Sequence, residues 1–265
     1  MHYLFYLISP FVKALKLKTK TYIRRFAIGD IHGCYKTFKL LLEDELKITT
    51  QDVIFLVGDY IHKGPNSEKV IDYIIDLQKD GYNIFPIRGN HEENLIIKQR
   101  TYRPTFARFI AKMNTRYGKS ILSKDGELYL KHKEFFKALP YRIQIEDYHI
   151  VHAGFNYEAE KPKKDFDAML NTRKPLPEIL PKMLKKRRVI HGHTPISIDK
   201  LKQSIAEQSP LINIDSGCAF FKKVTNEQAN QLGFLSCFNL DTQELITIRN
   251  KDQEPQLLST VPAYH

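Results

Sequence analysis

Three apolar runs that each break off at a glycine followed by a metal-competent side chain constrain this chain more than anything else in it. Phe26-Ala27-Ile28 runs into Gly29-Asp30-Ile31-His32-Gly33. Ile54-Phe55-Leu56-Val57 runs into Gly58-Asp59. Ile84-Phe85-Pro86-Ile87 runs into Arg88-Gly89-Asn90-His91. Short apolar runs bounded by glycine read as buried strands. Asp30, Asp59 and Asn90 stand 29 and 31 residues apart, so the donors recur strand by strand. Three such strand ends point to one shared metal site.

The intervening segments are helical. Phe38, Leu41, Leu42 and Leu46 form an apolar stripe that predicts a helix over 35–47. Asn66 or Ser67 caps a second helix in which Val70, Ile71, Ile74 and Ile75 face inward, and Asp80-Gly81 ends it. With strands at 25–28, 53–57 and 83–87, this β-α-β-α-β order predicts a parallel sheet gathering its ligands at strand C-terminal ends. Residues 92–138 read as helical, with Pro104 suited to a first turn, and this region is expected to cap the site. Further strands are predicted at 148–152, ending in Val151-His152-Ala153-Gly154, at 188–190, entering Gly192-His193-Thr194-Pro195, and at 211–214, ending in Asp215. The Pro- and Lys-rich stretch 158–186 reads as irregular. Strands near 233–239 and 244–249, joined at Asp241-Thr242, close the chain.

Bulk properties set outer limits. The 265 residues suit one domain with a large core. A net charge of +11 favours encounter with anionic partners but says nothing of chemistry. Cys34, Cys218 and Cys237 are an odd count without CxxC spacing, which excludes a disulfide framework or a zinc finger and fits a reducing, cytoplasmic location. Residues 1–23 read as a basic N-terminal extension, 24–252 as the main domain and 253–265 as a tail. The first 25 residues carry six Lys/Arg and no acid, and the apolar run 3–12 is too short to span a bilayer. That run either packs on the domain or lies peripherally on an anionic membrane. Lys185-Lys186-Arg187-Arg188, with no interleaved aromatics, reads as a solvated flank and not as a specific nucleic-acid site.

The metal-competent residues at strand ends are Asp30, His32, Asp59, Asn90, His152 and His193. Three imidazoles, two carboxylates and one amide oxygen suit Mn, with Fe or Zn as alternatives, better than Ca or Mg. Two neighbouring ions need a bridging carboxylate, and Asp59 is central in the set. Such a pair lowers the pKa of a bridging water and neutralises charge on a phosphoryl group under in-line attack. His91 is then available to protonate the leaving oxygen.

In this order, G-D-I-H-G, G-D-Y-I-H-K-G-P, G-N-H-E, V-H-A-G and G-H-T-P resemble the calcineurin-like metallophosphoesterases, and within them the bacterial and phage-type phosphoprotein phosphatase branch. The resemblance covers roughly residues 24–249. It implies an α/β fold, a β-sandwich of two mixed sheets flanked by helices, with a dinuclear metal site at one end. It implies that Asp30, His32 and Asp59 hold one ion, that Asp59, Asn90, His152 and His193 hold the other, and that His91 is the general acid. Arg173, in Met169-Leu170-Asn171-Thr172-Arg173, is the candidate for a phosphate-binding arginine, with Asn90 and Lys63 also facing substrate phosphate.

One departure stands out. Where the family reads G-D-x-x-D-R-G, this chain has Gly58-Asp59-Tyr60-Ile61-His62-Lys63-Gly64. His62 replaces the acid that charges the general-acid histidine, and Lys63 keeps a positive charge without the two-pronged fit to phosphate. The leading expectation is a phosphatase acting on phosphoserine/threonine proteins or small phosphoesters. The alternatives are a dinucleoside-polyphosphate hydrolase like the diadenosine tetraphosphatases, and a degenerate phosphatase that binds a phosphorylated partner without turnover.

Overall fold

The structure, a computed structural model, describes residues 12–101, 121–123, 127–174, 182–220 and 231–252. Its strands are β1 (Ala14–Lys16), β2 (Arg25–Ile28), β3 (Val53–Leu56), β4 (Asn83–Pro86), β5 (Arg142–Gln144), β6 (Tyr148–Val151), β7 (Arg188–His191), β8 (Leu211–Asn213), β9 (Phe234–Asn239) and β10 (Leu245–Arg249). The helices are α1 (Tyr35–Leu40), α2 (Ser67–Lys79), α3 (Asn90–Thr101), α4 (Leu130–Ala138), α5 (Phe166–Asn171) and α6 (Ile198–Ala206). Two five-stranded mixed sheets result, ordered β10-β9-β2-β3-β4 and β1-β5-β6-β7-β8. The α/β sandwich of two mixed sheets with flanking helices is the one expected.

The first three predicted strands form the parallel run β2-β3-β4, in register Phe26↔Ile54↔Ile84. Their continuous apolar character has a physical reason: both faces are covered. Phe26, Ile28, Ile54, Leu56 and Ile84 pack into a cluster with the apolar faces of α1 and α2. Ala27, Val53 and Phe55 point the other way and meet Ile143, Ile150, Ile190 and Ile212 of the second sheet. Each such large apolar side chain contributes about 1.5–3 kcal/mol on full burial. The two-residue period of a strand thus divides one sequence run between two cores.

Local differences from expectation have local causes. The helix expected over 35–47 is α1 followed by a π-turn, Leu41–Glu45, in which Leu46 N–H donates to Leu41 O at 2.9 Å. The wider turn lets Leu41, Leu42 and Leu46 all reach the core. The stretch read as irregular contains α5, capped by Asp165, whose carboxylate accepts from Ala168 N–H at 3.0 Å. Six residues are too few to show a helical period. The helical run expected over 92–138 contains α3 and α4, and Pro104 lies outside the described residues.

The apolar N-terminal run falls almost wholly on residues 1–11, also outside the described residues. Downstream of it, Ala14–Lys16 pairs in parallel with β5, and Thr19 donates from N–H and Oγ1 to the Glu146 carboxylate at 2.7 and 2.8 Å. β1 and β5 were not anticipated, since three residues carry no readable alternation. No helix among the described residues is long and apolar enough to cross a membrane.

Candidate active site

The C-terminal ends of β2, β3 and β4 deliver Asp30 with His32, Asp59, and Asn90 with His91. The second sheet delivers His152 after β6, His193 after β7 and Asp215 after β8. The glycines that precede these donors make room for carboxylates. A Cβ on Gly89 would lie 2.2 Å from Asp59 Oδ1, and one on Gly192 would lie 2.1 Å from Asp30 Oδ1. His32, Asp59 and His193 hold φ of 47°, 53° and 78°, a left-handed conformation that costs energy outside glycine and that surrounding structure must enforce.

Asp59 is the hub. Its Oδ2 lies 3.5 Å from His32 Nε2 and 3.9 Å from His91 Nε2, and its Oδ1 lies 3.5 Å from His152 Nε2. Two groups of donors converge within 4.8 Å, His32–Asp59–His91 and Asp30–Asp59–His152, and both include Asp59. Backbone carbonyls orient the rings. His32 Nδ1–H donates to Ile61 O at 3.0 Å and His152 Nδ1–H to Val57 O at 2.8 Å, leaving each Nε2 lone pair facing inward. The Asn90 amide sits 2.9 Å from His152 Nε2 and 3.2 Å from His193 Nδ1. Turned with its nitrogen inward it donates to both rings and to Asp59; turned with its oxygen inward it joins them as a third donor.

The electrostatics call for a cation. Burial, then Asp215 and Asp59, pushes the Asp30 carboxyl well above its ordinary range. Burial raises Asp59 to about 7 and Asp215 to about 6. Burial lowers His152 and His193 to about 4, so both rings are neutral lone-pair donors at pH 7. Asp30 Oδ1 is buried without a hydrogen-bond partner among the described residues. Three buried carboxylates, neutral imidazoles and an orphaned oxygen fit divalent cations. Chelation is therefore expected to lower Tm relative to the Mn-loaded protein by ~5–10 °C at a hundredfold excess over Kd. Differential scanning fluorimetry with and without EDTA measures it, and an unchanged Tm counts against a metal centre here.

Two contributors were missed from sequence. Glu92 is fully buried, and its carboxylate accepts from the N–H groups of Asp59 (2.9 Å), Tyr60 (2.9 Å), Ile61 (3.3 Å) and Gly89 (3.0 Å). It clamps the loop that presents Asp59. Burial, and after it Asp59, pushes its carboxyl up to about 8 against the Asp59, Tyr60 and Gly89 N–H donors. Glu92→Gln should destabilise the fold by about 1–3 kcal/mol for each N–H left without an acceptor. Urea denaturation of the chelated protein checks this apart from metal loss, and unchanged stability would show the clamp to be dispensable. Asp215 repeats the strand-then-acid signal of Asp30 and Asp59, and that signal could have found it. His191 ends β7.

The two departures from the family pattern both reach the centre. His62 Nδ1 lies 2.9 Å from His91 Nδ1. Burial, then His62 and Lys63, lowers His91 to about 3. The Lys63 ammonium donates to His32 Nε2 at 2.6 Å. His62 and Lys63 hold φ of 68° and 65°, so consecutive left-handed residues turn both side chains inward. Arg173 is exposed just past α5, near enough to His193 for its charge to lower that ring's pKa. α5 is tied to the site because Ala153 N–H donates to Met169 O at 2.8 Å.

A two-sheet sandwich thus brings carboxylates and imidazoles together at strand ends in groups that could hold metal ions. Residues 23–219 match the calcineurin-like phosphoesterase family, and the chain belongs to it. The symmetrical bis(5'-nucleosyl)-tetraphosphatase of Wigglesworthia glossinidia brevipalpis is 44% identical over 72 residues, 27% of this chain and 25% of that protein. This chain therefore spans about a quarter of that relative. The asymmetrical bis(5'-nucleosyl)-tetraphosphatase of Oceanobacillus iheyensis is 25% identical over 241 residues, 79% of this chain and 90% of that protein. A crystal structure described as a candidate diadenosine tetraphosphatase superposes with a TM-score of 0.61 at 20% identity. It covers 90% of this chain and 98% of the other, and at that identity it speaks to the fold alone.

Proposed function

We propose that this chain is a two-metal hydrolase acting on small phosphoesters and phosphoanhydrides, with dinucleoside polyphosphates as the substrate class. The sharing of Asp59 between two donor groups carries the two-metal reading. Asp30, His32 and Asp59 hold one ion; Asp59, Asn90, His152 and His193 hold the other. The ions, Mn by the balance of nitrogen and oxygen donors, supply Lewis-acid charge to the phosphoryl group. Arg173 and Lys63 add positive charge for the remaining phosphate oxygens, and Asn90 faces them.

His91 selects the leaving group. In the tautomer in which His62 Nδ1–H donates to His91 Nδ1, the His91 proton sits on Nε2, the nitrogen facing Asp59 and the one a general acid needs. A neutral imidazole held by another imidazole is a weak acid in comparison with one charged by a carboxylate. It suffices for a phosphate leaving group, which departs as a stable anion, and does little for the alkoxide of serine. That chemistry, with two tetraphosphatase relatives, favours the dinucleoside polyphosphate over the phosphoprotein. The phosphoprotein phosphatase reading is supported by the order and spacing of the motifs. The cysteines are buried and free, which supports a reducing, cytoplasmic setting, and the basic residues of 1–25 support peripheral contact with anionic membranes.

The test is product analysis. Metal-stripped protein reloaded with Mn²⁺ is given diadenosine tetraphosphate and, separately, a phosphothreonine peptide. Adenine nucleotides released at the higher kcat/KM support the proposal. Faster release of phosphate from the peptide assigns a protein phosphatase, and metal binding without turnover of either assigns a degenerate binding protein.

A further inference from the structure

The basic run Lys185-Lys186-Arg187-Arg188, which the metal centre does not use, enters the N-terminal end of β7. Arg188 is engaged structurally, donating to Ser209 O and Gln243 Oε1 at 2.8 Å each. Arg187 donates from Nε to Ile145 O at 2.9 Å, and its charge, with those of Lys185, Lys16 of β1 and Arg142 of β5, bears on Lys163 in the short turn Pro162–Lys164. Burial, then these four cations, lowers the Lys163 pKa, with no acid among the causes.

Sheet register explains the convergence. Lys16 pairs with Gln144 and Gln144 with His149, so all three share one face, and Arg142 is the diagonal neighbour of His149 on it. Ile143 and Ile150 point to the inter-sheet core, so this is the outer face of the second sheet. His149 is fully buried there, edge-on to Phe155 at 5.8 Å between ring centroids.

The polar groups on this face lack partners. Neither ring nitrogen of His149 has a hydrogen-bond partner among the described residues, and neither do the buried Nε and Nη1 of Arg142. The carboxylates of the neighbouring segments have other partners: Glu146 accepts from Thr19, Asp147 pairs with Lys20 and Arg25, Glu160 pairs with Lys161, and Asp165 accepts from Ala168 N–H and Asn156 Nδ2. Each buried donor left unpaired costs about 1–3 kcal/mol, and convergent like charges add repulsion. An oxyanion removes both costs at once.

We propose that this outer face is a second anion site, built to take a phosphoryl group and separate from the metal centre. His149 and Arg142 supply N–H donors at its floor, and Lys163, Arg187, Lys185 and Lys16 supply charge at its rim. The chain itself separates the two sites. His149 lies near the start of β6 and His152 just past its end; Arg187 precedes β7 and His193 follows it. At about 3.3 Å per residue His149 and His152 stand roughly 10 Å apart along β6, and Arg187 and His193 lie beyond opposite ends of β7. The inference does not rest on the reaction proposed above.

The test is calorimetric titration of the full-length, metal-loaded protein with inorganic phosphate, repeated on Asp59→Asn and on Lys163→Met/Arg187→Met. Two phosphates are expected to bind the parent, with one surviving in Asp59→Asn. The double Met variant should keep only the metal-centre phosphate, and it should melt higher than the parent in chloride buffer because repulsion is relieved. One phosphate in the parent, lost in Asp59→Asn, overturns the proposal, as does retention of both by the Met variant. Sedimentation with phosphatidylglycerol vesicles identifies the source of the phosphoryl group. Binding that the Met variant loses assigns a lipid headgroup, and phosphate binding without vesicle binding assigns a soluble ligand.

Discussion

Asp59→Asn is expected to abolish hydrolysis, by at least about 10³-fold in kcat, while leaving the protein folded. Asp59 is the one carboxylate common to both donor groups, so its charge serves two ions. Asparagine keeps its shape, and an amide oxygen still accepts the His91 N–H that Asp59 Oδ1 now accepts at 3.0 Å. The loss is therefore one of charge. A structural explanation and a metal-centre explanation predict opposite signs for stability. Asp59 is buried beside Asp30 and Asp215, and their charges oppose one another. Removing it relieves that repulsion, so the chelated variant should melt no lower than the parent while the rise in Tm on adding Mn²⁺ shrinks. Near-normal turnover by metal-stripped, reloaded Asp59→Asn would sink the two-metal mechanism.

The second large effect is a gain. His62→Asp combined with Lys63→Arg should raise turnover of a phosphothreonine peptide by roughly 10–100-fold, within the range general acids contribute, with little change for diadenosine tetraphosphate. His62 Nδ1 already lies 2.9 Å from His91 Nδ1, so a carboxylate at 62 is placed to favour the imidazolium and raise the His91 pKa. Asp is also among the residues best able to take the left-handed conformation that His62 holds at φ 68°. Arginine at 63 offers two parallel N–H donors to phosphate where lysine offers a point charge. Steady-state kcat on both substrates measures the effect. An unchanged or lower rate on the peptide would show that the His62-Lys63 pair serves a different step.

The places where reading the chain fell short share one cause. Glu92 directly follows His91 in the same motif, yet its role rests on four N–H donors, three of them some thirty residues away. Asp215 repeated a visible pattern, but its importance comes from lying beside Asp30. The Lys185-Arg187 run looked like a solvated flank because nothing local shows that Lys16, Arg142 and Lys163 meet it.

The sequence by itself determined the run of parallel strands, the donors at their ends and the centrality of Asp59. Each of these follows from neighbours in the chain: an apolar run ends, a glycine turns, and the next side chain stands at the sheet's edge. Whereas the place of His62 against His91 followed from the family pattern, only the tertiary structure decided which of the other rings touch and that Lys63 meets His32. It alone placed unpaired donors on the outer face of the second sheet. These depend on how two sheets stack and in what register. That stacking is set by apolar burial between sheets, which is non-directional and leaves no local trace of which polar groups it will bring together.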